Sequence, residues 1–225
     1  MSTNNPNRFR FRLFSLLVIL LLGISLIAIS CYPDGGLNSI TDYDVVATIF
    51  DNDANFSKNK TYSMPPFVVH IVSADSVDTV QTVLDRTILS RIESNMSNYG
   101  YTKEVLDTTN WPNNATDVII LPATTTTTWR GYTYYPGWGG WWGGWWGYPP
   151  GWGGWYPGYA VPYEYQTGSV LVEMVDPRKV NQAEKIVGII WSGALNGLLG
   201  ESNPTARVTQ GIDQMFAQSQ YLKSN

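Results

Sequence analysis

Apolar and polar positions divide the chain into stretches with different periods. Leu13 to Ile29 is an apolar run of seventeen residues, interrupted only by Ser15, Gly23 and Ser25. Tyr43 to Phe50 (YDVVATIF) is β-branched and aromatic and closes in the polar triplet Asp51 to Asp53, which predicts a strand and a turn. A short strand is expected over Lys60 to Met64, stopped by Pro65-Pro66, and Phe67 to Val72 fits either a strand or the approach to a helix. Val77, Val80, Leu84, Ile88, Ile92 and Met96 then recur at spacings of three and four, which predicts a helix over Ser76 to Tyr99 with one apolar face. Asp75 is its expected N-cap, Asp78 the carboxylate that reaches back to free amides, and Gly100 its stop.

Further strands are predicted at Tyr101 to Leu106, and at Asp117 to Leu121 continuing into the Thr124 to Thr128 run. Gly168 to Val175 and Lys185 to Trp191 read as a hairpin turning at Asp176-Pro177-Arg178. Asn203 and Pro204 open a last helix with Val208, Ile212, Met215 and Phe216 on one face. The expected fold is α+β: a mostly antiparallel sheet of five or six strands with two helices packed on one face.

The N-terminal run has a different meaning from these elements. Arg8, Arg10 and Arg12 precede it, and Ala28-Ile29-Ser30 lead from it into Cys31, the single cysteine of the chain. Basic residues, an apolar stretch and small residues in that order form a secretory signal. The ending resembles the lipobox of bacterial lipoproteins, with Ala28 where Leu is usual. That resemblance implies a diacylglycerol on the Cys31 thiol, cleavage before it, and acylation, as by palmitate, of the new amino group. The alternatives are an uncleaved anchor, since seventeen residues reach about 25 Å at 1.5 Å each, just short of a hydrocarbon core, and a buried soluble helix. Lipidation or an uncleaved anchor would each place the rest of the chain outside the cytoplasm. Tyr32, rather than Asp, comes directly after the cysteine, which by the usual sorting scheme favours the outer membrane. The organisation expected is a signal peptide at 1–30, a tether at 31–41 and one α+β domain at 42–220.

Charge narrows the partners. The whole chain has 14 Lys and Arg against 18 Asp and Glu. Three of the basic residues precede Cys31, so the remainder of the chain carries 14 − 3 = 11 against 18, a net charge near −7. No Lys/Arg cluster appears after Arg12, and phosphate backbones need one, so no nucleic acid partner is expected. A single cysteine excludes an intramolecular disulfide, and a single histidine, His70, excludes a multi-histidine metal site.

Pro136 to Gly158 (PGWGGWWGGWWGYPPGWGGWYPG) contains only Gly, Trp, Pro and Tyr. Ten glycines and four prolines oppose any regular helix or ladder, and an inserted loop is expected. Three readings of it stand side by side. The rings stack on each other and on the domain with no ligand. Alternatively Trp138, Trp141, Trp142, Trp145, Trp146, Trp152 and Trp155 sit at the headgroup level of a bilayer. In the third reading they form a stacking platform for glycan or peptidoglycan sugars, although the segment lacks the carboxylates and amides that usually accompany sugar binding.

Catalytic patterns are missing. There is no GxSxG, HExxH, phosphate-binding Gly-Lys-Ser loop or GxGxxG after a strand. His70 stands directly after Val68-Val69 and reads as structural. Asp51 and Asp53 begin DNDANFSKNK, which lacks the glycine and final glutamate of a calcium loop and reads as a turn. No cofactor, metal site or catalytic residue is expected.

Several short motifs together resemble a known family. These are Asp42-Tyr43-Asp44, the Asn55 to Ser63 stretch NFSKNKTYS, the Gly168 to Asp176 stretch GSVLVEMVD, and Ile190-Trp191-Ser192-Gly193. The chain resembles an uncharacterised bacterial lipoprotein domain, domain of unknown function four-one-three-six, over about Tyr43 to Phe216. Ser192 stands where a basic residue is common there, and the Trp/Gly insertion is outside the shared pattern. The resemblance implies a fold and an envelope location without implying a mechanism. The expectation is a lipid-anchored, non-catalytic envelope protein whose partners are the membrane, through acylated Cys31, and a glycan or another envelope protein.

Overall fold

Strands buried on both faces are apolar throughout rather than alternating, and three such strands make the centre of this fold. In the computed structural model residues 46–73, 76–107, 116–125, 129–131, 153–155, 163–165, 168–197 and 204–224 are described. The expected signal peptide and tether, Cys31, and Trp138, Trp141, Trp142, Trp145, Trp146 and Trp152 lie outside them. All described residues belong to one compact unit, Tyr43–Asn225.

In chain order the elements are β1 (Val46–Phe50), β2 (Thr61–Ser63), β3 (Val69–Ser73), β4 (Ser76–Asp78), α1 (Val83–Asn98), β5 (Thr102–Lys103), β6 (Val118–Thr125), β7 (Trp129–Gly131), β8 (Gly153–Trp155), β9 (Tyr163–Tyr165), β10 (Val170–Asn181), β11 (Ile186–Leu195) and α2 (Pro204–Gln218). Nine of the strands form one sheet in the order β1-β11-β10-β6-β2-β5, with β3 and β4 attached at β6 and β8 at β11. β7 and β9 form a separate antiparallel ribbon.

The α+β class and the two helices on one face are present, but the sheet is mixed and larger than the five or six mostly antiparallel strands expected. β1–β11, β11–β10, β10–β6 and β3–β4 are antiparallel. β2–β6, β2–β5, β3–β6 and β8–β11 are parallel. Parallel neighbours require a crossover, and here α1 supplies one, standing between β2 and β5 in the chain. The strands of this sheet that were not expected, β4 and β8, are three residues long each, too short to show a period of two.

One core cluster lies between the sheet and the helices. Ile88, Ile92 and Met96 of α1 and Val208, Ile212, Met215 and Phe216 of α2 pack with Val118, Ile120, Val172, Met174, Ile190 and Trp191 of the central strands. The second cluster is Val69, Ile71, Ile119, Leu121, Ala123, Leu171, Val175, Val187, Ile189 and Ala194, which alternate with the first set along the same strands and so lie on the other face.

α1 begins later than its periodicity predicts. Ser76–Asp78 is strand β4, and the helix starts at Val83. The N-cap is Thr82, not Asp75, and the reaching carboxylate is Asp85, not Asp78. Thr82 Oγ1 accepts from the Asp85 amide at 3.2 Å while Asp85 Oδ2 accepts from the Thr82 amide at 2.6 Å, a reciprocal capping box. Val80 is 72% exposed, so its place in the three-and-four pattern was coincidental. The C-terminal stop is as expected: Gly100 has φ 89°, Tyr101 N donates to Met96 O at 3.0 Å and Gly100 N to Ser97 O at 3.0 Å.

The expected turn at Asp176-Pro177-Arg178 is also displaced. β10 runs through it to Asn181, with a bulge between Asp176 and Val180, and the chain reverses at residues 182–185, where Lys185 has φ 55°. Proline is tolerated because the bulge removes a ladder bond at that point.

Candidate functional site

Three polar constellations stand out among the described residues. The first joins β3 to α1. Register puts His70, between Val69 and Ile71 of the second face, on the helix side of the sheet. There its Nε2 lies 3.0 Å from Asp85 Oδ2. The same oxygen accepts from the Thr82 hydroxyl at 2.8 Å, and Asp85 is 2% exposed. Gln81 adds a backbone clasp, accepting from Val68 N at 2.8 Å and donating to Val68 O at 2.9 Å. A carboxylate with three donors already placed on it is held rather than poised, so the arrangement locks the start of α1 to the sheet. His70 thus ties β3 to the first turn of α1.

A second constellation sits at the β10 bulge. Arg178 makes a paired contact with Asp176 through Nε at 2.7 Å and Nη2 at 3.0 Å, and Nη2 also donates to Asn59 Oδ1 at 3.2 Å. Asp117 Oδ2 accepts from the amides of Lys60 at 2.7 Å and Thr61 at 3.0 Å. Burial raises the Asp117 pKa, yet those amides, the Thr61 hydroxyl and the Arg178 charge outweigh it and hold the carboxyl below the usual range. Beside them Lys179 Nζ meets buried Asp51 at 2.5 Å, its stem lying against Gly188. Asp51 also accepts from the Asp53 amide at 2.9 Å, the expected Asx turn. Three carboxylates, Asp51, Asp117 and Asp176, share two cations and several backbone amides here, which suits fastening β1, β2, β6 and β10 together.

Thirdly, Met64, Pro66, Lys103, Glu104, Val105 and Leu106 line an open groove of about 460 Å³ beside β5, the last strand of the sheet. Lys103 is paired with Glu93 of α1 and Val105 is 94% exposed. The charged residues lining the groove are Lys103, already neutralised by Glu93, and Glu104.

Among the described residues no group of three or more His, Cys, Asp and Glu could hold a metal ion. Nor is any described helix long and apolar enough to cross a membrane. Of the sequence-predicted site residues only the backbone of Trp155 is described. It ends β8, whose partners are Ile186 to Gly188 of β11. The His70–Asp85 contact and the Arg178 cluster were not anticipated, although Thr82-x-x-Asp85 is a legible capping pattern.

The motifs of the Gly168 to Asp176 and Trp191 to Gly193 stretches acquire physical roles in this fold. Gly168 has φ 84° and its amide donates to Thr125 O at 2.7 Å, which starts β10 against β6. Trp191 is fully buried and its Nε1 donates to Ser219 Oγ at 2.9 Å. A Cβ on Gly193 would stand 2.8 Å from Met215 Sδ and 2.9 Å from the Trp191 ring. The model of the family described as Domain of unknown function (DUF4136) matches residues 46–219. The chain belongs to the DUF4136 family. A crystal structure of a DUF4136 family protein from Bacteroides thetaiotaomicron is similar to it, with 27% identity over 80% of this chain and 98% of that one, at a TM-score of 0.59. No curated protein matches the chain. The DUF4136 match starts at the first described strand and takes in both helices, so its shared features are those of sheet and core.

Proposed function

We propose that this DUF4136 chain is a lipid-anchored protein of the cell envelope, favouring the outer membrane, with a non-catalytic structural or interaction role. The observation that carries the reading is the order Arg8-Arg10-Arg12, apolar run, Ala28-Ile29-Ser30, then the single cysteine, all before the first strand. Two or three acyl chains at about 0.8 kcal/mol per buried CH₂ hold a protein on a membrane, whereas one does so only marginally. The polar constellations of the domain support a non-catalytic role, because each is satisfied by fastening one element to another. Mass measurement of the N-terminal peptide from membrane fractions tests it. The wild type should begin at acylated Cys31, and a Cys31→Ala variant should lose both the modification and the cleavage. An intact Met1 terminus in the wild type would overturn the lipoprotein reading in favour of an uncleaved anchor.

The partner proposed is a surface of the envelope, with glycan or peptidoglycan taken by the tryptophan segment as the alternative. Seven indoles in 23 residues motivate that alternative. It requires the full chain to co-sediment with cell-wall material and a chain with those tryptophans replaced to remain in solution. Equal co-sedimentation of the two removes it.

A further inference from the structure

Asparagine followed at the second position by serine or threonine, with any residue but proline between, is the acceptor pattern for N-linked glycan and marks surface loops of exported proteins. The chain carries it four times, at Asn55-Phe56-Ser57, Asn59-Lys60-Thr61, Asn95-Met96-Ser97 and Asn114-Ala115-Thr116. So short a pattern decides nothing by itself, and the fold is what separates the four. Asn114 lies outside the described residues. Asn59 is 3% exposed, and its Oδ1 accepts from Arg178 Nη2 at 3.2 Å. Asn95 stands near the end of α1, where its Nδ2 donates to Arg91 O and to Asp213 Oδ1, each at 3.0 Å. Glycan is attached at Nδ2, so in Asn95 the atom that has to react is committed twice over.

Asn55 differs in each respect. It is exposed, on the loop between β1 and β2. Its backbone, at φ −104° and ψ 86°, is not helical, and its side chain caps no amide of the short turn that follows. Ser57 Oγ donates to Asn55 Oδ1 at 2.9 Å, so the hydroxyl of the pattern holds the carboxamide oxygen, and among the described residues Nδ2 has no hydrogen-bond partner. Phe56, between the two, is 4% exposed and packs on Phe50 and Tyr221, with ring centroids at 6.4 and 5.6 Å. The loop is therefore pinned at Phe56 while the acceptor beside it stands in solvent. Asp53, also exposed, offers an enzyme a charged contact two residues before the acceptor.

We propose that Asn55 is a glycosylation acceptor, modified on the folded domain while Asn59 and Asn95 are not, with an oligosaccharide carried on a polyprenyl diphosphate as the donor. In the transfer the bond between sugar C1 and the diphosphate oxygen breaks and a bond from C1 to Asn55 Nδ2 forms. One proton leaves Nδ2 for a base of the transferase, and polyprenyl diphosphate departs with the electron pair of the broken bond. Both hydrogen-bonding groups the pattern requires are already in place, the hydroxyl of Ser57 on Oδ1 and a free amide nitrogen. The inference rests on the export proposed above, because this modification belongs to chains delivered outside the cytoplasm. It concerns a sugar bound covalently to the β1–β2 loop and is independent of any glycan held by the tryptophan segment.

Peptide mass mapping of the unaltered chain, isolated from membrane fractions of the cells that make it, is the direct test. The peptide containing Asn55 should carry added sugar mass, and those containing Asn59 and Asn95 beyond it should not. An amidase that removes N-linked glycan should strip that mass and convert Asn55 to an aspartate. Bare Asn55 on chains that begin at Cys31 overturns the proposal and leaves export standing, whereas bare Asn55 on cytoplasmic chains that retain Met1 overturns both. Sugar on Asn59 or Asn95 in place of Asn55 overturns it as well. Asn55→Gln and Ser57→Ala should each abolish the modification, and Ser57→Thr, which keeps the hydroxyl, should retain it; glycan persisting at position 55 in Ser57→Ala would overturn the acceptor role of the pattern. Should a variant fail to fold, the mapping of the unaltered chain decides.

Discussion

At the scale of single residues, two glycines set how near α2 comes to β11. A Cβ on Gly211 would stand 2.1 Å from Leu195 Cδ2, and one on Gly193 would meet Met215 and Trp191 at under 3.0 Å. Neither has a positive φ, so close approach and not backbone freedom is what each supplies. Gly211→Ala separates two opposing effects. Helix propensity alone would stabilise by about 1 kcal/mol, whereas overpacking costs about 1–3 kcal/mol. Net destabilisation is expected in urea unfolding, and a gain in stability would show that the contact with Leu195 yields freely. Gly193→Ala has no helical gain to offset and should cost about 1–3 kcal/mol outright. Asp85→Ala removes a cap and leaves His70 and Thr82 without their shared acceptor. A loss of about 2 kcal/mol is expected, and Asp78→Ala, at the position the periodicity marked as the reaching carboxylate, should cost much less.

At the scale of elements, β2 is three residues long, and besides its pairing with β5 and β6 its start is held by one side chain. Asp117 binds the amides of Lys60, just before the strand, and Thr61, its first residue, and Thr61 Oγ1 accepts from the Asp117 amide at 3.0 Å. Because the folded-state pKa of Asp117 is depressed, its stabilisation is complete above the unfolded carboxylate value of about 4 and is lost as pH falls through the lower folded value. Asp117→Asn should therefore flatten the acid limb of the stability profile and cost about 1 kcal/mol at neutral pH. An unchanged acid limb would assign the acid sensitivity to other groups. Asp213, held low by Arg91 and Asn95 against the rise from burial, contributes in the same direction, but its Arg91 partner is more than a third exposed and the pair adds little.

The elements that could be read from the sequence were those with enough residues to show a period. α2 was legible because Pro204 marks its start and four buried side chains mark its face. The middle of α1 and strands β6, β10 and β11 were legible for the same reason. The start of α1 was misplaced because Val77 and Val80 happen to continue a helical spacing from within a strand and a linker. Thr82-x-x-Asp85 was the stronger signal, since a capping box satisfies real donors. β2 and β5 fall inside predicted strands, whereas the three-residue strands β4 and β8 were missed, because their places come from pairing with another strand rather than from a period of their own. Register likewise escaped the sequence, and with it the meeting of His70 with Asp85 and of Arg178 with Asn59.

At the scale of the whole molecule, the helix-side core closes around three tyrosines near the end of α1. Burial, aided by the Glu93 charge, pushes the Tyr62 pKa up to about 12, and burial raises those of Tyr99 and Tyr101 as well. An unfolded phenol ionises near pH 10, so stability should be steady below that and fall as pH climbs toward about 12, where the folded Tyr62 finally releases its proton. Tyr62→Phe should soften that decline in an alkaline unfolding series, and an identical alkaline limb would sink the assignment.

The contacts of these tyrosines with residues 216–224 have a consequence for how the molecule is made. Tyr99 Oη donates to Phe216 O, Tyr101 Oη to Leu222 O at 2.9 Å, and Ser224 N to Tyr99 O at 2.9 Å. β1, synthesised before the rest of the domain, has β11 as its strand partner, about 145 positions later. A chain of such long-range contacts folds slowly, and this one cannot finish its core while residues beyond 203 are still inside the ribosome. A nascent chain halted after Asn203 should be digested as readily as an unfolded polypeptide, and the completed chain should resist. Late completion of this kind keeps a polypeptide threadable, which is the state a translocation channel needs of a protein exported by the route proposed above.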